Sequence, residues 1–248
     1  MSLSDLVQHG REQSPPRIII YGPEKIGKST WASCAPDTVF IRTEDGLDQI
    51  DCAKLPLCKS YGQFIEQIGM LAQDDHQFKT LAIDSADWLQ KLVYADVCLQ
   101  GKKSSIEDFG YGKGPVFALK NWKEVLDGLD YLRSERGMRH ILIAHSKIEK
   151  FSDPDGSTYD RYSLALHKDA TAMLCEWSDA ILFANRKTRI EKEEVGFNKV
   201  RAVGKPIGAD GGDRILRCIG SPACVAGNRY DMPAELPLVW DEVAKFIY

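Results

Sequence analysis

No stretch of this chain approaches the roughly 20 consecutive apolar residues that a membrane-spanning helix needs. The polar start M-S-L-S-D-L-V-Q-H-G lacks a basic region followed by an apolar one, so a soluble, unprocessed protein is expected. Seven cysteines are scattered without a C-x-x-C pair, which argues against both a disulfide framework and a cysteine zinc site. A reducing cytoplasm is the simplest compartment. Basic excess is also missing: 32 Lys and Arg face 36 Asp and Glu, for a net charge of −4. Attraction to nucleic acid by overall charge is thereby excluded, and any such binding must rest on local basic patches. No internal repeat is visible, which argues against a solenoid.

What is present is concentrated in Arg17 to Thr30, R-I-I-I-Y-G-P-E-K-I-G-K-S-T. It reads as a buried strand, a glycine-bounded loop and the start of a helix. Gly22, Gly27, Lys28 and Ser29 fit the phosphate-binding pattern G-x-x-x-x-G-K-[ST]. The nucleotide-binding loop is therefore expected to comprise Gly22, Pro23, Glu24, Lys25, Ile26, Gly27, Lys28, Ser29 and Thr30. The glycines permit close backbone approach, Lys28 reaches the terminal phosphates, and the Ser29 hydroxyl suits a magnesium ligand. ATP and Mg²⁺ are the expected cofactors.

The remaining chain alternates strand-like and helix-like segments. Thr38 to Arg42 reads as a second strand, delivering Thr43-Glu44-Asp45-Gly46 at its carboxyl end. Phe64, Ile65, Ile68 and Leu71 recur at helical spacing. Phe78 to Asp84 is an apolar strand ending in an acid, the Walker B position for holding magnesium, although a helix cap is the ordinary alternative for Asp84. Gly101 to Val116 reads as a flexible loop whose Phe109 and Tyr111 have no evident core to join. A helix follows with Leu119, Trp122, Leu126, Leu129 and Leu132 on one face. His140 to His145 is a further buried strand, Ser146 to Asp160 a mobile-looking segment with D-P-D-G, and Ala180 to Asn185 another strand. Arg186 to Asp213 is expected to form an exposed hairpin closed near Gly196-Phe197-Asn198, before a late strand from Arg214 and a terminal helix presenting Trp240, Val243 and Ile247. The expected fold class is α/β, a mostly parallel sheet flanked by helices with late antiparallel strands. One domain, residues 17–248, is expected after a polar arm of residues 1–16.

The P-loop, the T-E-D-G-L-D tip, the L-A-I-D-S and I-L-I-A-H-S strands and the late V-A-G-N-R segment together resemble RecA-type ATPase cores. The likeness is greatest to the compact phage RecA-like ATPases of the Sak-type single-strand annealing group, over roughly Arg17 to Pro237. The resemblance implies a sheet in which the sensor strand lies between the P-loop and Walker B strands. It also implies ATP hydrolysis between self-associated subunits, on single-stranded DNA, in a bacterial host cytoplasm.

By the same resemblance Glu44 is the carboxylate that deprotonates the attacking water, with Asp45 competing for the role. His145 or Ser146 is the γ-phosphate sensor, against the ordinary reading of a satisfied core histidine. Arg229 is the basic residue offered to a neighbour's ATP, with Gly227 standing where the family carries an earlier one. The loops facing DNA are residues 101–116 and 146–160. They combine Lys102, Lys103, Lys113, Lys147 and Lys150 with Phe109, Tyr111, Phe151 and Tyr159, diluted by Glu107, Asp108, Glu149, Asp153 and Asp155. A single-strand binding protein is a further candidate partner. Two other readings stand beside this one: a nucleotide-switched annealing module with negligible hydrolysis, and a P-loop ATPase acting on a protein partner in replication.

Overall fold

A computed structural model describes residues 3–7, 9–10, 12–154, 156–194, 200–209 and 211–247. A one-turn helix, α1 (Leu3–Leu6), lies in the N-terminal arm. Strand β1 (Arg17–Gly22) is buried along nearly its whole length, as a parallel strand covered on both faces must be. The short helix α2 (Lys28–Ser33) ends ahead of Pro36 and leads into β2 (Thr38–Arg42) and the two-residue β3 (Ala53–Lys54). Ser60 caps α3 (Tyr61–Gln73) by accepting a hydrogen bond from the Gln63 amide. Next come β4 (Thr80–Asp84), α4 (Ala86–Gln100), α5 (Lys113–Glu135), β5 (Arg139–Phe151), β6 (Tyr159–Leu164), α6 (Lys168–Trp177) and β7 (Ala180–Arg186). The chain finishes with β8 (Thr188–Glu194), β9 (Val200–Pro206), β10 (Arg214–Arg217), β11 (Gly227–Asn228), β12 (Glu235–Pro237) and α7 (Trp240–Ile247).

The main sheet runs β12-β10-β7-β1-β5-β4-β2-β3, with β6 added to β5 and β11 to β7. Its centre is parallel, while β6, β10, β11 and β12 are antiparallel to their neighbours. The β5 strand thus lies between β1 and β4, the arrangement expected of a RecA-like core. The fold is α/β, a mostly parallel sheet flanked by helices, with a P-loop after β1 and late antiparallel strands. Alternation along the strands splits the core in two. Ile19, Tyr21, Ile41 and Ile83 pack under α3 to α6, and Ile18, Ile20, Phe40 and Ala82 pack toward α2 and α7. Trp31 of α2 meets Trp240 of α7 with ring centroids 4.9 Å apart, so the C-terminal helix is anchored beside the P-loop helix.

Two expectations need correction. Residues 146–160 are mostly paired strand: β5 continues past the sheet to Phe151 and pairs with β6 from Ser146↔Leu164 to Phe151↔Tyr159. Charges pair across this hairpin, Arg161 with Glu149 at 2.9 Å. Residues 101–116 are likewise folded. A capped 3-10 turn at Ile106–Phe109 is held by Ser105 and Asp108, and α5 begins at Lys113. Phe109 does join a core, edge-on to Phe117 at 5.4 Å, whereas Tyr111 is wholly exposed. The β8 and β9 strands form the expected hairpin, and its closure at Gly196-Phe197-Asn198 lies outside the described residues.

Candidate active site

The carboxyl ends of β1, β2 and β4 and the middle of β5 converge on a cavity of about 330 Å³. The P-loop forms one wall. Its two glycines are required by contacts at this spot: a Cβ on Gly22 would lie 2.2 Å from the Ala184 carbonyl oxygen, and Gly27 has φ 108°. Lys28 is buried, and its ammonium donates to the carbonyls of Gly22 at 2.9 Å and Pro23 at 2.8 Å. One of its three donors is left for an incoming oxyanion. Burial lowers the Lys28 pKa, opposed chiefly by the charge of Asp84.

The Ser29 hydroxyl donates to Asp84 Oδ2 at 2.7 Å, which joins the P-loop helix to the tip of β4. Burial pushes the Asp84 carboxyl above its ordinary range, against the bond from Ser29 and the charge of Lys28. Glu44 is set beside this pair by the loop after β2. The amides of Thr43 and Glu44 donate to the Asp84 carbonyl at 2.8 and 3.3 Å, and the Thr43 hydroxyl bonds Ser85 through both its carbonyl and its amide. Burial and then the Asp84 charge raise the Glu44 carboxyl above its ordinary range. Among the described residues no cluster of three or more His, Cys, Asp or Glu could hold a metal by itself. A magnesium ion needs no such cluster, since it takes one or two protein oxygens and completes its shell with water and phosphate. Ser29 and Asp84, hydrogen-bonded to each other beside Glu44, fit that demand.

Midway along β5, where it leaves the main sheet, His145 is opposite Gly22 in register and faces the same cavity. Its backbone amide donates to Asp87 Oδ1 at 2.9 Å, and its ring Nδ1 meets Asp87 Oδ2 at 2.9 Å. Donating to the Asp87 carboxylate raises the His145 pKa against the effect of burial. Burial would raise the Asp87 carboxyl, but the bonds from His145 hold it below its ordinary value. Asp87 was not singled out in the sequence. The available signal was an acid in the first turn of the helix, three residues after the strand-tip Asp84. Thr43 was likewise missed as the clasp between the β2 and β4 tips.

Arg229 is elsewhere. It follows β11, and its guanidinium contacts Asp179 at 3.1 Å while remaining 62% exposed. Asp179 also binds the backbone and side chain of Arg17 at the start of β1. The P-loop begins at the other end of that strand, roughly 16 Å away at about 3.3 Å per residue. The site therefore contains Lys28, Ser29, Glu44, Asp84 and His145, with Asp45 on its rim, and excludes its own Arg229. Among the described residues no helix is long and apolar enough to cross a membrane.

Residues 14–230 match the AAA domain family (AAA_24). The fold is similar to that of the RadB recombinase, at a TM-score of 0.47 and 13% identity, covering 89% of this chain and 85% of that one. No curated protein matches the sequence. A P-loop cavity at the carboxyl edge of a mostly parallel sheet, inside a family match that spans most of the chain, is the setting of a nucleotide-binding ATPase. The chain belongs to the AAA domain family.

Proposed function

We propose that this protein is a magnesium-dependent ATPase of the RecA type that acts on single-stranded DNA in phage-type recombination or strand annealing, as the Sak-type group does. Residues 17–248 are its ATPase domain and residues 1–16 an arm. The observation that carries the hydrolytic part is the meeting of Lys28, the Ser29–Asp84 pair and Glu44 in one cavity. Loop residues Gly22 to Thr30 would cradle the phosphates, with Lys28 donating to their oxygens. Ser29 and Asp84 would hold magnesium, which when bound neutralises charge on the β- and γ-phosphates. Glu44, whose carboxyl is raised toward neutrality, would take the proton of the attacking water. His145, fixed by Asp87 midway along β5, would read the γ-phosphate.

The DNA part rests on aromatics next to cations, one exposed and two half-buried. Tyr111 is wholly exposed near Lys113, and at the end of the β5–β6 hairpin Phe151 and Tyr159 are 5.5 Å apart with Arg161 lying over Phe151. Such pairs let bases stack while cations track the phosphates. The deciding experiment is ATP hydrolysis with and without single-stranded DNA, with Lys28→Ala as the blank. The expected result is hydrolysis stimulated by DNA and abolished in the variant. Hydrolysis indifferent to DNA would move the search to a protein partner. Assembly that needs ATP without measurable turnover would instead make the protein a nucleotide switch.

A further inference from the structure

Both carboxylate oxygens of Asp87 are taken by one residue. Oδ1 accepts the His145 backbone amide and Oδ2 meets ring Nδ1, each at 2.9 Å. An ionised carboxylate has no hydrogen to give, so the proton of the second bond belongs to Nδ1. Two features keep Asp87 ionised. The bonds from His145 hold its carboxyl below the ordinary range, and it lies in the first turn of α4, where the helix dipole favours an anion. The other ring nitrogen, Nε2, has no hydrogen-bond partner among the described residues, and the half-buried ring lines the phosphate cavity. With Nδ1 already protonated, Nε2 is a bare acceptor when the imidazole is neutral and a donor only when it is an imidazolium. A neutral ring held this way turns a lone pair toward any phosphate oxygen it meets.

We infer that Asp87 is a positioning residue that sets the preference of this site for a nucleoside triphosphate over a diphosphate: by reserving Nδ1 for a proton, it lets His145 donate to a terminal phosphate only as a cation. The inference rests on the proposed reading of the γ-phosphate by His145. Charges face the ring from four elements. Asp87 of α4 and Glu44 of the loop after β2 favour the cation, Lys28 of α2 opposes it, and Asp84 of β4 lines the same cavity. The ring pKa lies above its ordinary 6.5, so the donor is present below that pH and is lost as pH rises through the folded value. An asparagine at position 87 reverses the logic. Its carbonyl oxygen is still claimed by the His145 amide, its NH₂ group then faces Nδ1, and the ring answers by carrying its proton on Nε2. That tautomer donates to phosphate without being charged.

The test is the affinity of ATPγS, a slowly hydrolysed triphosphate, relative to that of ADP, measured by calorimetry with magnesium from about pH 6 to about pH 9. Wild type is compared with Asp87→Asn, His145→Gln and His145→Ala. His145→Gln carries a donor that does not titrate, so its profile records the titrations of the nucleotide and of Lys28, and the other profiles are divided by it. The wild-type ratio is expected to fall about 10- to 100-fold over this range, the effect of a hydrogen bond to a charged group. The Asp87→Asn ratio should be flat and, at the alkaline end, higher than that of wild type, a gain that damage to the fold does not produce. Nitrogen-15 NMR of the five histidines supplies a readout that needs no nucleotide. Neutral His145 is expected to hold its proton on Nδ1 in wild type and on Nε2 in Asp87→Asn. A wild-type profile parallel to that of His145→Gln, or a neutral wild-type ring protonated on Nε2, overturns the role of Asp87 and leaves His145 as the γ-phosphate reader. A ratio unchanged in His145→Ala overturns that reading as well, and binding of neither nucleotide by the wild-type protein overturns the P-loop reading itself.

Discussion

Glu44 and the His145–Asp87 pair carry opposite electrostatic signatures, and each gives a separable prediction. Glu44→Gln is expected to bind ATP and to lose about 10²- to 10⁴-fold in hydrolysis, the range of a positioned general base. Wild-type turnover in that variant would remove Glu44 from the mechanism. A carboxyl whose folded pKa exceeds its ordinary 4.5 also costs stability once it ionises. In magnesium-free buffer the glutamine variant should therefore unfold at higher urea than wild type at neutral pH, with the gain vanishing below about pH 4.5. The His145–Asp87 pair behaves in the reverse sense. Its stabilisation is full between the ordinary values of 3.8 and 6.5, falls on the acid side as Asp87 protonates, and falls on the alkaline side as His145 loses its proton. The stability lost in Asp87→Asn should follow that profile in urea titrations, and a difference flat with pH would show that the pair is not charged. The P-loop residues, Glu44 and Asp84 were legible because each sits in a local pattern of strand, turn and helix. Asp87 was not, since its partner is 58 residues away and nothing local distinguishes it from an ordinary first-turn acid.

At the scale of elements, strands with continuous apolar runs were legible nearly to the residue, as β2 at Thr38–Arg42 shows. Strands whose second half needs a partner were not. The β5 strand turns from a buried I-L-I-A run into an alternating polar segment once it leaves the sheet, and only β6 makes that segment a strand. Two- and three-residue strands such as β3, β11 and β12 carry no periodicity at all. On the proposed DNA reading, the hairpin changes which lysines can meet a single strand. The Lys147 ammonium donates to the Leu166 carbonyl at 2.6 Å and lies 3.8 Å from Glu149, whereas Lys150 is exposed. Each phosphate contact on single strands contributes about −0.7 to the slope of log affinity against log salt. Lys150→Ala should accordingly flatten that slope by about 0.7, and Lys147→Ala should leave it unaltered. Equal slopes for wild type and Lys150→Ala would take the hairpin out of the DNA surface.

For the whole molecule the deciding geometry is the length of β1, which separates Arg229 from its own P-loop. The order of strands around β1 was expected from the RecA resemblance. The ion-pair hub at the opposite end was not, because Arg17 and Asp179 are 162 residues apart. Asp179 is buried, and Arg17 holds it with three hydrogen bonds while Arg133 lies 3.8 Å away. Arg229 can therefore swing out without stranding a buried charge, which leaves its exposed guanidinium open to the neighbouring subunit that the RecA resemblance implies. An arginine serving a neighbour's ATP is worth about 10³- to 10⁵-fold in rate, so Arg229→Ala should be nearly inactive while assembling normally. Lys28→Ala should be inactive too, but each variant keeps what the other lacks. Mixed in equal amounts before assembly, they should form roughly a quarter of their head-to-tail interfaces with an intact P-loop facing an intact Arg229. Hydrolysis recovered to about that fraction of wild type would place the arginine in trans. Mixtures as inactive as their parts, or an Arg229→Ala protein within a few-fold of wild type, would leave Arg229 as a member of the Asp179 hub alone.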